Sequence, residues 1–357
     1  MGASIAGLVA ATRLAEAGHA VTVLERRPDL ASPPPARLAY DHLLHQMALP
    51  DEAVAARIAE THLHGPHGAR LRLDAPCSVV DRVALDGHWA ERAQAAGAEL
   101  RFGVQDITFD DPCHMTADGR RLGSSWTVFA DGAQTQATRW LRSMRTGRVV
   151  WGASSRVPDH EAPDAVHIHL GRHAPGGRTQ WTPTPDGWRF WSFDGHDAPS
   201  ALERHEHHLD AAGSTGELEG VAPDPVYALP GRLVGDGLLA IGGAAGQGGL
   251  EMGMVAGDLA GRALAAGDPA RYVRAWRRHQ GGYRALRWAT DRLARLDDAR
   301  LDRLLGSLGT DAVPIQRLQA LLRPGRRLHA AWGLARAHPK AILPALGAFW
   351  APTTKAP

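Results

Sequence analysis

The stretch GASIAGLVAATRLAEAGHAVTVLE, residues 2–25, decides the fold. Its opening has the spacing G-x-S-x-x-G, formed by Gly2, Ser4 and Gly7. Apolar residues then recur at helical spacing over 5–18, and Gly18 is placed to end the helix. The segment HAVTVLE follows as a short buried strand. A glycine-rich turn, a helix and a strand in this order predict the nucleotide-binding unit of an α/β fold.

Each part of this unit suits a dinucleotide. Glycines permit a tight turn whose backbone N–H groups approach a pyrophosphate at a helix N-terminus. Glu25 ends the following strand, where its carboxylate can accept hydrogen bonds from a ribose diol. The spacing alone also fits any glycine-rich entry to a helix, but the acid at the strand end favours the dinucleotide. Glu25 favours a ribose without a 2′-phosphate, although Arg26 and Arg27 directly after it weaken that inference; as surface charges these two arginines need no special role.

The buried strand that normally precedes such a turn is missing before Gly2. That strand is central in a parallel sheet, and its loss would expose the apolar faces of both neighbouring strands. We therefore expect a start codon assigned a few residues late, with apolar codons upstream of Met1.

Composition excludes several classes of protein. The chain has 357 residues, enough for two packed domains, and a net charge of only +2 gives no field suited to nucleic acid. Its two cysteines, Cys77 and Cys113, form no C-x-x-C pair, so we expect neither a zinc ribbon nor a disulfide framework. We find no run of about 18 apolar residues and no signal peptide, and we expect a cytoplasmic protein.

The remaining chain alternates between helical and strand patterns. We predict helices over 51–61, 85–96 and 133–141, and a hairpin that turns at Asp118-Gly119. Alternating strands with aromatic and proline-rich turns over 147–230 predict an antiparallel sheet. GLLAIGGAAG (237–246) is typical of a strand that enters a glycine-rich turn, and a helix follows it.

These patterns divide the chain into a nucleotide-binding domain, a sheet domain and a helical tail. The predicted boundaries are 1–146 for the nucleotide-binding domain with an inserted substrate-side segment at about 38–80, 147–232 for the sheet domain, 233–266 for the return to the nucleotide-binding domain, and 267–357 for the helical C-terminal region. The fold class is therefore α/β, a Rossmann-like domain with an antiparallel-sheet domain.

Four segments together resemble the FAD-dependent oxidoreductases of the geranylgeranyl reductase and aromatic hydroxylase superfamily. Residues 2–26 resemble the ADP-binding unit of that superfamily. DRVALDGHWAERAQAAGAEL (81–100) resembles its R-x-x-L/F-D segment, and TVFADGAQTQATRWL (127–141) resembles its A-D-G-A motif. GLLAIGGAAGQGGLEMGMVAGDLAGRAL (237–264) resembles its G-D-A-A-G segment and the helix after it. The arginine-rich tail also resembles that of the geranylgeranyl reductases.

The resemblance implies that FAD is the cofactor. It places FAD against Gly2, Ser4, Ile5, Ala6, Gly7, Glu25, Arg26, Arg82, Asp131, Gly132, Gly243, Gly246, Gly248 and Gly249. Two of these assignments have simpler alternatives. Arg82 can be a surface arginine near a loop, and Asp131-Gly132 can be an ordinary turn.

The fourth segment departs from the superfamily pattern. Gly242-Gly243 stands where the superfamily has Gly-Asp, and the loop from Gly246 to Leu250 is about five residues short. That loop normally supplies backbone N–H groups and a helix dipole to the flavin pyrimidine. We therefore expect altered redox tuning and weaker FAD binding, with Gly248 and Gly249 still able to donate.

The sheet domain carries the expected substrate contacts. GGRTQWTPTPDGWRFWSF (176–193) resembles a Y-x-W-x-F-P-x-G stretch that lines an isoprenoid tunnel in geranylgeranyl reductases. The candidate substrate residues are Trp181, Pro183, Trp188, Phe190 and Trp191, whose apolar area suits a hydrophobic or aromatic ligand. The alternative is that alternate aromatic residues face the core of a sheet.

No residue pattern indicates a metal site or assigns a catalytic residue. Two histidine groups have close spacing, but neither has a carboxylate or cysteine partner set, so we expect solvated histidines: His62, His64 and His67, and His205, His207 and His208. Only His205 and His208 of the second group would share a helix face. Cys77 is expected to be a buried thiol, with a position near the substrate as the alternative.

The leading hypothesis is an FAD-dependent reductase of isoprenoid C=C bonds in a hydrophobic small molecule. A flavin monooxygenase that hydroxylates or epoxidises such a molecule is the first alternative, and a non-redox cyclase or lipid-binding relative is the second. NAD(P)H or another reductant would donate the electrons. The apolar segment AILPALGAFWAP (341–352) and the lipid substrates of similar enzymes lead us to expect peripheral membrane contact. The sequence does not indicate an oligomeric state.

Overall fold

A computed structural model gives the fold of the protein. It describes residues 1–30, 37–44, 47–111, 113–132, 135–141, 150–158, 165–171, 179–185, 187–224, 232–279, 296–307 and 313–314. The proline-rich loop at 31–36 and the segment 341–352 lie outside these residues, as does most of the chain beyond 307.

The described residues form seven helices and seventeen strands. The helices are α1 (Ile5–Glu16), α2 (Arg82–Ala95), α3 (Ala137–Leu141), α4 (Ala198–Ala211), α5 (Leu250–Ala265), α6 (269–279) and α7 (Asp298–Ser307). The strands are β1 (Thr22–Leu24), β2 (Arg37–Tyr40), β3 (Val54–His64), β4 (Arg70–Val80), β5 (Glu99–Arg101), β6 (Ile107–Asp111), β7 (His114–Ala117), β8 (Arg120–Gly123), β9 (Thr127–Phe129), β10 (Val150–Val157), β11 (Ala165–His169), β12 (Thr179–Thr184), β13 (Gly187–Gly195), β14 (Glu217–Asp224), β15 (Val234–Gly235), β16 (Leu238–Ala240) and β17 (Val313–Pro314).

The nucleotide-binding half has two short parallel ladders on either side of the chain start. Strand β1 pairs with β5, and β9 pairs with β16, in both cases parallel. The Met1 ammonium donates to the Val128 carbonyl, and the Met1 carbonyl accepts from Ala130 N. Gly2 N donates to the Leu24 carbonyl on the other side, at 2.8 Å. Met1 and Gly2 therefore connect the two ladders at the position of a central strand.

A nine-stranded mixed sheet forms the second half of the molecule. Its strands follow the order β14-β10-β13-β12-β11-β3-β4-β17, and β2 also pairs with β4. The chain segment 37–80, which supplies β2, β3 and β4, therefore joins the same sheet as the strands of 150–224. Strand β11 runs parallel to β3, so the two chain segments meet side by side.

Helices α1 and α5 pack closely because α5 presents glycine to α1. A Cβ added at Gly257 would lie 2.5 Å from the Ala6 carbonyl oxygen, and one at Gly261 would lie 2.9 Å from the Ala10 carbonyl oxygen. Gly253, one turn earlier, faces Ile5. Four-residue spacing puts these glycines on one helix face, which lets the two backbones approach. This contact holds the phosphate turn at the start of α1 against the loop that precedes α5.

Most predicted elements are present, but residues 51–61 are not helical. They form most of β3, after a short 3₁₀ turn at Asp51–Ala53. Alanine, arginine and glutamate give this segment a high helix propensity, and pairing with β4 and β11 overrides that preference. The predicted turn at Asp118-Gly119 is confirmed, since both residues have positive φ and join β7 to β8.

Within the described part of the chain, no helix has the length and apolarity needed to cross a membrane.

Candidate functional site

The glycine-rich turn is held in a shape that only glycine permits. Gly2 has φ +89°, and a Cβ there would lie 2.6 Å from the Ala130 carbonyl oxygen. A Cβ at Gly7 would overlap the Gly2 carbonyl oxygen. Ser4 caps α1: its Oγ donates to the Ala130 carbonyl at 2.9 Å and accepts from Gly7 N at 3.4 Å. The hydroxyl therefore ties the turn to the end of β9.

Glu25 is buried beside this turn. One of its carboxylate oxygens accepts from Ala3 N at 2.6 Å, and the other accepts from Arg27 N at 2.9 Å. Burial opposes ionisation of Glu25, but these two amides and the Arg27 guanidinium together outweigh it and hold the pKa of the carboxyl below its usual value. An ionised acceptor at the strand end is what a ribose diol requires.

Arg27, which was expected to be only a surface charge, covers Glu25. The Arg27 guanidinium lies 3.3 Å from the Glu25 carboxylate and donates to the Ala3 carbonyl at 3.2 Å. Arg26 is exposed, and its carbonyl accepts from the Gln105 side chain. Strand β1 ends at Leu24 and the chain bends at both arginines, so no strand periodicity in the sequence distinguishes them.

Arg82 is buried, which removes the surface-arginine alternative. Its Nη2 donates to both carboxylate oxygens of Asp86 at 3.0 Å, one turn later on α2. Burial raises the pKa of Asp86, although the charges of Arg82 and Arg27 act in the opposite direction. Leu85 of α2 shares a buried cluster with Ile5 and Leu8 of α1, so this ion pair lies on the helix that packs against α1. A phosphate contact by Arg82 stays a prediction.

Asp131 and Gly132 lie against the same turn. A Cβ at Gly2 would lie 3.1 Å from Asp131 Cα. The Asp131 carboxylate accepts from the Thr135 hydroxyl at 2.5 Å and from Gln136 N at 3.1 Å, while Gly132 has φ +86°. The structure therefore brings the first and third of the four motif segments together at one edge of the nucleotide-binding half.

The loop that contains Gly242-Gly243 is held in place by a residue that we did not predict from the sequence. Gly242–Ala245 form a 3₁₀ turn that ends at Gly246 in the left-handed region. Gln247 is 1% exposed, and its Oε1 accepts from Gly242 N at 2.8 Å while its Nε2 donates to the Tyr272 hydroxyl at 2.8 Å. Gln247 thus fixes the loop from inside, where a glutamine amid glycines carries no recognisable pattern.

The N-terminus of α5 is open to a ligand. Gly249 precedes the helix with φ +96°, and within the described residues no side chain hydrogen-bonds as a cap there. Glu251 in the first turn is 5% exposed and accepts from Tyr40 N at 2.7 Å. The predicted donors Gly248 and Gly249 therefore lie at an uncapped helix start beside β2. Ile5 and Ala6 of the predicted set are buried and pack towards α5.

These residues fit FAD. The glycine cradle and the buried Glu25 provide a pyrophosphate turn and a ribose acceptor, and the uncapped start of α5 provides amide donors for an electron-rich ring. The cradle leaves no room for a Cβ at Gly2 or Gly7, which is the close backbone approach that a pyrophosphate needs. Gly243 lies within the 3₁₀ turn of this same loop.

The five aromatic-sheet candidates fall on two faces. Trp181, Trp188 and Phe190 form one buried cluster with Val157 and with Leu209 of α4. Trp191 follows Phe190 directly and therefore points to the opposite face, where it stacks on Phe193 with ring centroids 5.7 Å apart. Pro183 pairs in register with Trp188. Trp181, Trp188 and Phe190 are therefore core residues of the sheet on the side that α4 covers. Of the five candidates, Trp191 is the aromatic residue on the opposite side of the sheet.

That other face points towards the nucleotide-binding half. Thr61 lies opposite to His62 on β3, and its hydroxyl is 3.3 Å from the Tyr40 hydroxyl. Tyr40 N in turn donates to Glu251 of α5. Cys77 pairs in register with Tyr40 and is 2% exposed. Its burial, together with the nearby carboxylates of Asp41 and Glu251, raises the pKa of the thiol to about 12. Cys77 also borders a cavity of about 260 Å³, so it is both a buried thiol and a cavity wall.

The expectation of solvated histidines is wrong for one member of each group, His62 and His205. His62 is 6% exposed, and its Nε2 lies 2.8 Å from the Glu60 carboxylate. His205 is 1% exposed, and its two ring nitrogens lie 2.8 Å from Ser155 Oγ and 3.0 Å from Ser192 Oγ. Sheet and helix packing buries both rings. The partner of His62 lies two positions away on β3, whereas the partners of His205 come from the distant strands β10 and β13. His67 and His207 are exposed as expected.

The histidines of β3 also meet two more from β11. His64 Nε2 and His167 Nδ1 are 2.8 Å apart, and the His64 ring stacks on His169 at 4.5 Å. Burial first, and then the charges of His169, His167, Arg70 and His62, lower the pKa of His64 to about 3. We call the set His62, His64, His167 and His169 the histidine face.

Comparison with known proteins supports the same family of folds. The NAD(P)-binding Rossmann-like domain family matches residues 1–59. The chain is 28% identical to digeranylgeranylglycerophospholipid reductase 2 of Methanothermobacter thermautotrophicus over 90% of this chain and 94% of that protein.

Two solved structures show how widely the fold is shared. A geranylgeranyl bacteriochlorophyll reductase-like protein from Thermoplasma acidophilum superposes with a TM-score of 0.76 at 17% identity, covering 97% of both chains. The anhydrotetracycline hydroxylase OxyS from Streptomyces rimosus superposes with a TM-score of 0.61 at 19% identity, covering 98% of this chain and 74% of that one. The resemblance predicted from the motifs is confirmed: the chain is similar in sequence to a digeranylgeranylglycerophospholipid reductase, and it shares its fold with a geranylgeranyl reductase-like protein and with a hydroxylase.

Proposed function

We propose that the protein is an FAD-dependent oxidoreductase that reduces isoprenoid C=C bonds in a hydrophobic small molecule. One observation carries the cofactor assignment: the buried, ionised Glu25 accepts from the Ala3 amide inside a turn that tolerates no Cβ at Gly2 or Gly7. The similarity to digeranylgeranylglycerophospholipid reductase 2 along nine-tenths of the chain supports the substrate class.

The chain's own residues would bind and position the reactants. The turn at Gly2 and the start of α1 would hold the pyrophosphate, and Glu25 the ribose. The amides at Gly248 and Gly249 would face the pyrimidine edge of the flavin, which supplies hydride chemistry when it is bound. The Thr61 and Trp191 side of the mixed sheet, which faces Tyr40 and α5, would exclude water from the reacting double bond.

FAD retention tests the cofactor assignment. Purified protein incubated with FAD and desalted is expected to keep flavin absorbance, whereas Glu25→Ala is expected to lose about tenfold in FAD affinity because the ribose acceptor is gone. Glu99→Ala is the matched control, since Glu99 is an exposed glutamate that pairs with Arg101 on neighbouring β5. Absence of flavin in the unmodified protein contradicts the redox proposal and favours a non-redox relative.

The departing motif gives a gain-of-function test. Gly243→Asp restores the acid that the superfamily carries in this loop, and we expect it to raise FAD retention. An unchanged affinity shows that Gly243 does not correspond to that position.

Two measurements separate reductase from monooxygenase. A reductase reoxidises its reduced flavin anaerobically when an isoprenoid alkene is added, and consumes no oxygen in proportion to product. A monooxygenase needs oxygen for turnover and incorporates it. We propose NAD(P)H as the electron donor, and stopped-flow bleaching of the flavin by NADH and NADPH tests it against dithionite.

We also propose that the substrate is delivered from a membrane surface to which the protein binds peripherally. The support is the chemistry of a lipid-like substrate, which partitions into bilayers. Co-flotation with liposomes tests this proposal, and recovery of all the protein in the soluble fraction contradicts it.

A further inference from the structure

The histidine face is assembled by strand register. His62 and His64 alternate along β3, and His167 and His169 alternate along parallel β11. The register pairs His62 with His167 and His64 with His169, so all four rings project from one side of the sheet. This side is opposite to Thr61 and therefore points away from the nucleotide-binding half.

Three of these rings converge on a small volume. One ring nitrogen of each of His62, His64 and His167 lies within 4.8 Å of the others. Three imidazole nitrogens bound to one zinc-sized ion at about 2.0–2.1 Å are roughly 3.4 Å apart. The His64–His167 pair at 2.8 Å is already closer than that, so the rings reach a metal geometry through small shifts.

The hydrogen bond between His64 and His167 shows that a lone pair is available. Two imidazole nitrogens 2.8 Å apart share one proton, so one of them is unprotonated and acts as the acceptor. A neutral imidazole nitrogen is the form that binds a metal ion. The ring edge of Trp188, 6.0 Å from His167, and the stacked His169 hold the rings in place.

Charged groups act on this cluster from both sides. The Glu60 carboxylate lies 2.8 Å from His62 Nε2, as the carboxylates that orient metal-bound histidines do. Arg72 pairs with Glu60 at 2.6 Å, and Arg70, an exposed residue, donates to His62 Nδ1. Arg70 is the group that opposes a dication, and its exposure lets it swing into solvent.

We propose that His62, His64 and His167 bind a divalent transition-metal ion of the zinc class. Three nitrogen donors with one position left for water suit Zn²⁺, Cu²⁺ and Ni²⁺ better than Mg²⁺ or Ca²⁺, which prefer oxygen. The ion would link β3 to β11, two strands that belong to distant parts of the chain. The site lies on the opposite face from Tyr40 and α5, so it acts on the stability of the sheet domain rather than on the flavin.

Zinc titration of the full chain tests the proposal. Tag-free protein, treated with EDTA and desalted, is titrated with Zn²⁺ against a chromophoric chelator, and Co²⁺ absorption reports the coordination geometry. We expect one ion per chain bound more tightly than any other and a raised unfolding temperature. We expect His64→Gln and His167→Gln each to weaken that binding by at least about tenfold, and His207→Gln, an exposed histidine on α4, to leave it unchanged.

A second variant keeps the test informative if a histidine variant fails to fold. Arg70→Met removes the opposing cation without removing a ligand, and we expect tighter zinc binding and a weaker dependence on salt. Zinc binding that is equal in the unmodified protein and in all the histidine variants overturns the proposal, as does a wild-type chain with no zinc-dependent stabilisation. Neither result bears on FAD retention, so the proposed function is tested separately.

Discussion

The phosphate turn and the histidine face are built in opposite ways. In the turn, the Ala3 amide and the Glu25 carboxylate are only 22 positions apart, and a single helix and strand bring them together. On the histidine face, His64 and His167 are 103 positions apart and meet only because β3 and β11 pair in one register. The first arrangement is determined by a short local segment of the sequence, whereas the second depends on the topology of the sheet.

The largest expected effect tests how strongly the predictable half depends on close packing. Gly257→Ala places a Cβ 2.5 Å from the Ala6 carbonyl oxygen, so α5 must move away from α1. We expect a loss of on the order of 3 kcal/mol in the free energy of unfolding, together with weaker FAD retention because the phosphate turn starts α1. Urea unfolding followed by circular dichroism measures the change.

The chain offers a matched control for that substitution. Gly87 lies within α2, and a Cβ there meets no atom within 4 Å. Gly87→Ala is therefore expected to stabilise the protein by about 0.5–1 kcal/mol through helix propensity alone. Equal effects at Gly87 and Gly257 would show that the α1–α5 approach does not limit stability.

An intermediate effect is expected in the mixed sheet, where distant residues meet. His205→Ala leaves the hydroxyls of Ser155 and Ser192 without their imidazole partner beneath α4. We expect a loss of about 2 kcal/mol, because two buried polar groups lose a hydrogen bond and a cavity forms. His207→Ala on the exposed side of the same helix is the control and should change stability by less than about 0.5 kcal/mol. A similar loss at both positions would contradict the buried role of His205.

The nucleotide-binding half was largely predictable because its signals are local. The helix that begins at Ser4, the stop at Gly18 and the turn at Asp118-Gly119 all follow from backbone preferences of single residues. The position of Glu25 beside the turn follows from the spacing of one motif, whereas its hydrogen bond from Ala3 N is seen only in the structure. The role of Arg27 was not predicted because the chain bends after β1, where no strand periodicity indicates which arginine covers Glu25.

The mixed sheet was less predictable because tertiary pairing overrides local preference. Residues 51–61 have the composition of a helix and form a strand once β4 and β11 flank them. His62 has its partner Glu60 two positions away, but the contact of His64 with His167 becomes visible only when the register is known. The sequence does contain a second H-x-H pattern at 167–169. If the two H-x-H strands are assumed to pair, this pattern predicts that their histidines meet on one face of the sheet.

We expect acid to destabilise the mixed sheet through His64. Burial and the neighbouring positive charges lower the pKa of His64 from its usual value to about 3. The folded chain therefore keeps His64 neutral, while the unfolded chain binds a proton below about pH 6.5. Since the unfolded state then holds more protons, the free energy of unfolding falls as the pH drops. The loss begins near the ordinary histidine pKa and continues down towards pH 3.

We expect this loss to be on the order of 1 kcal/mol per pH unit, and to be measured as urea midpoints at several pH values between 7 and 4.5 in EDTA. His64→Gln should flatten the profile, since glutamine binds no proton and keeps a polar contact with His167. His67→Gln, an exposed neighbour in the loop after β3, should leave the slope unchanged. If His64→Gln and the unmodified chain lose stability in parallel, the buried carboxylates rather than the histidine face govern acid unfolding, and the contrast between the two halves does not extend to their titration.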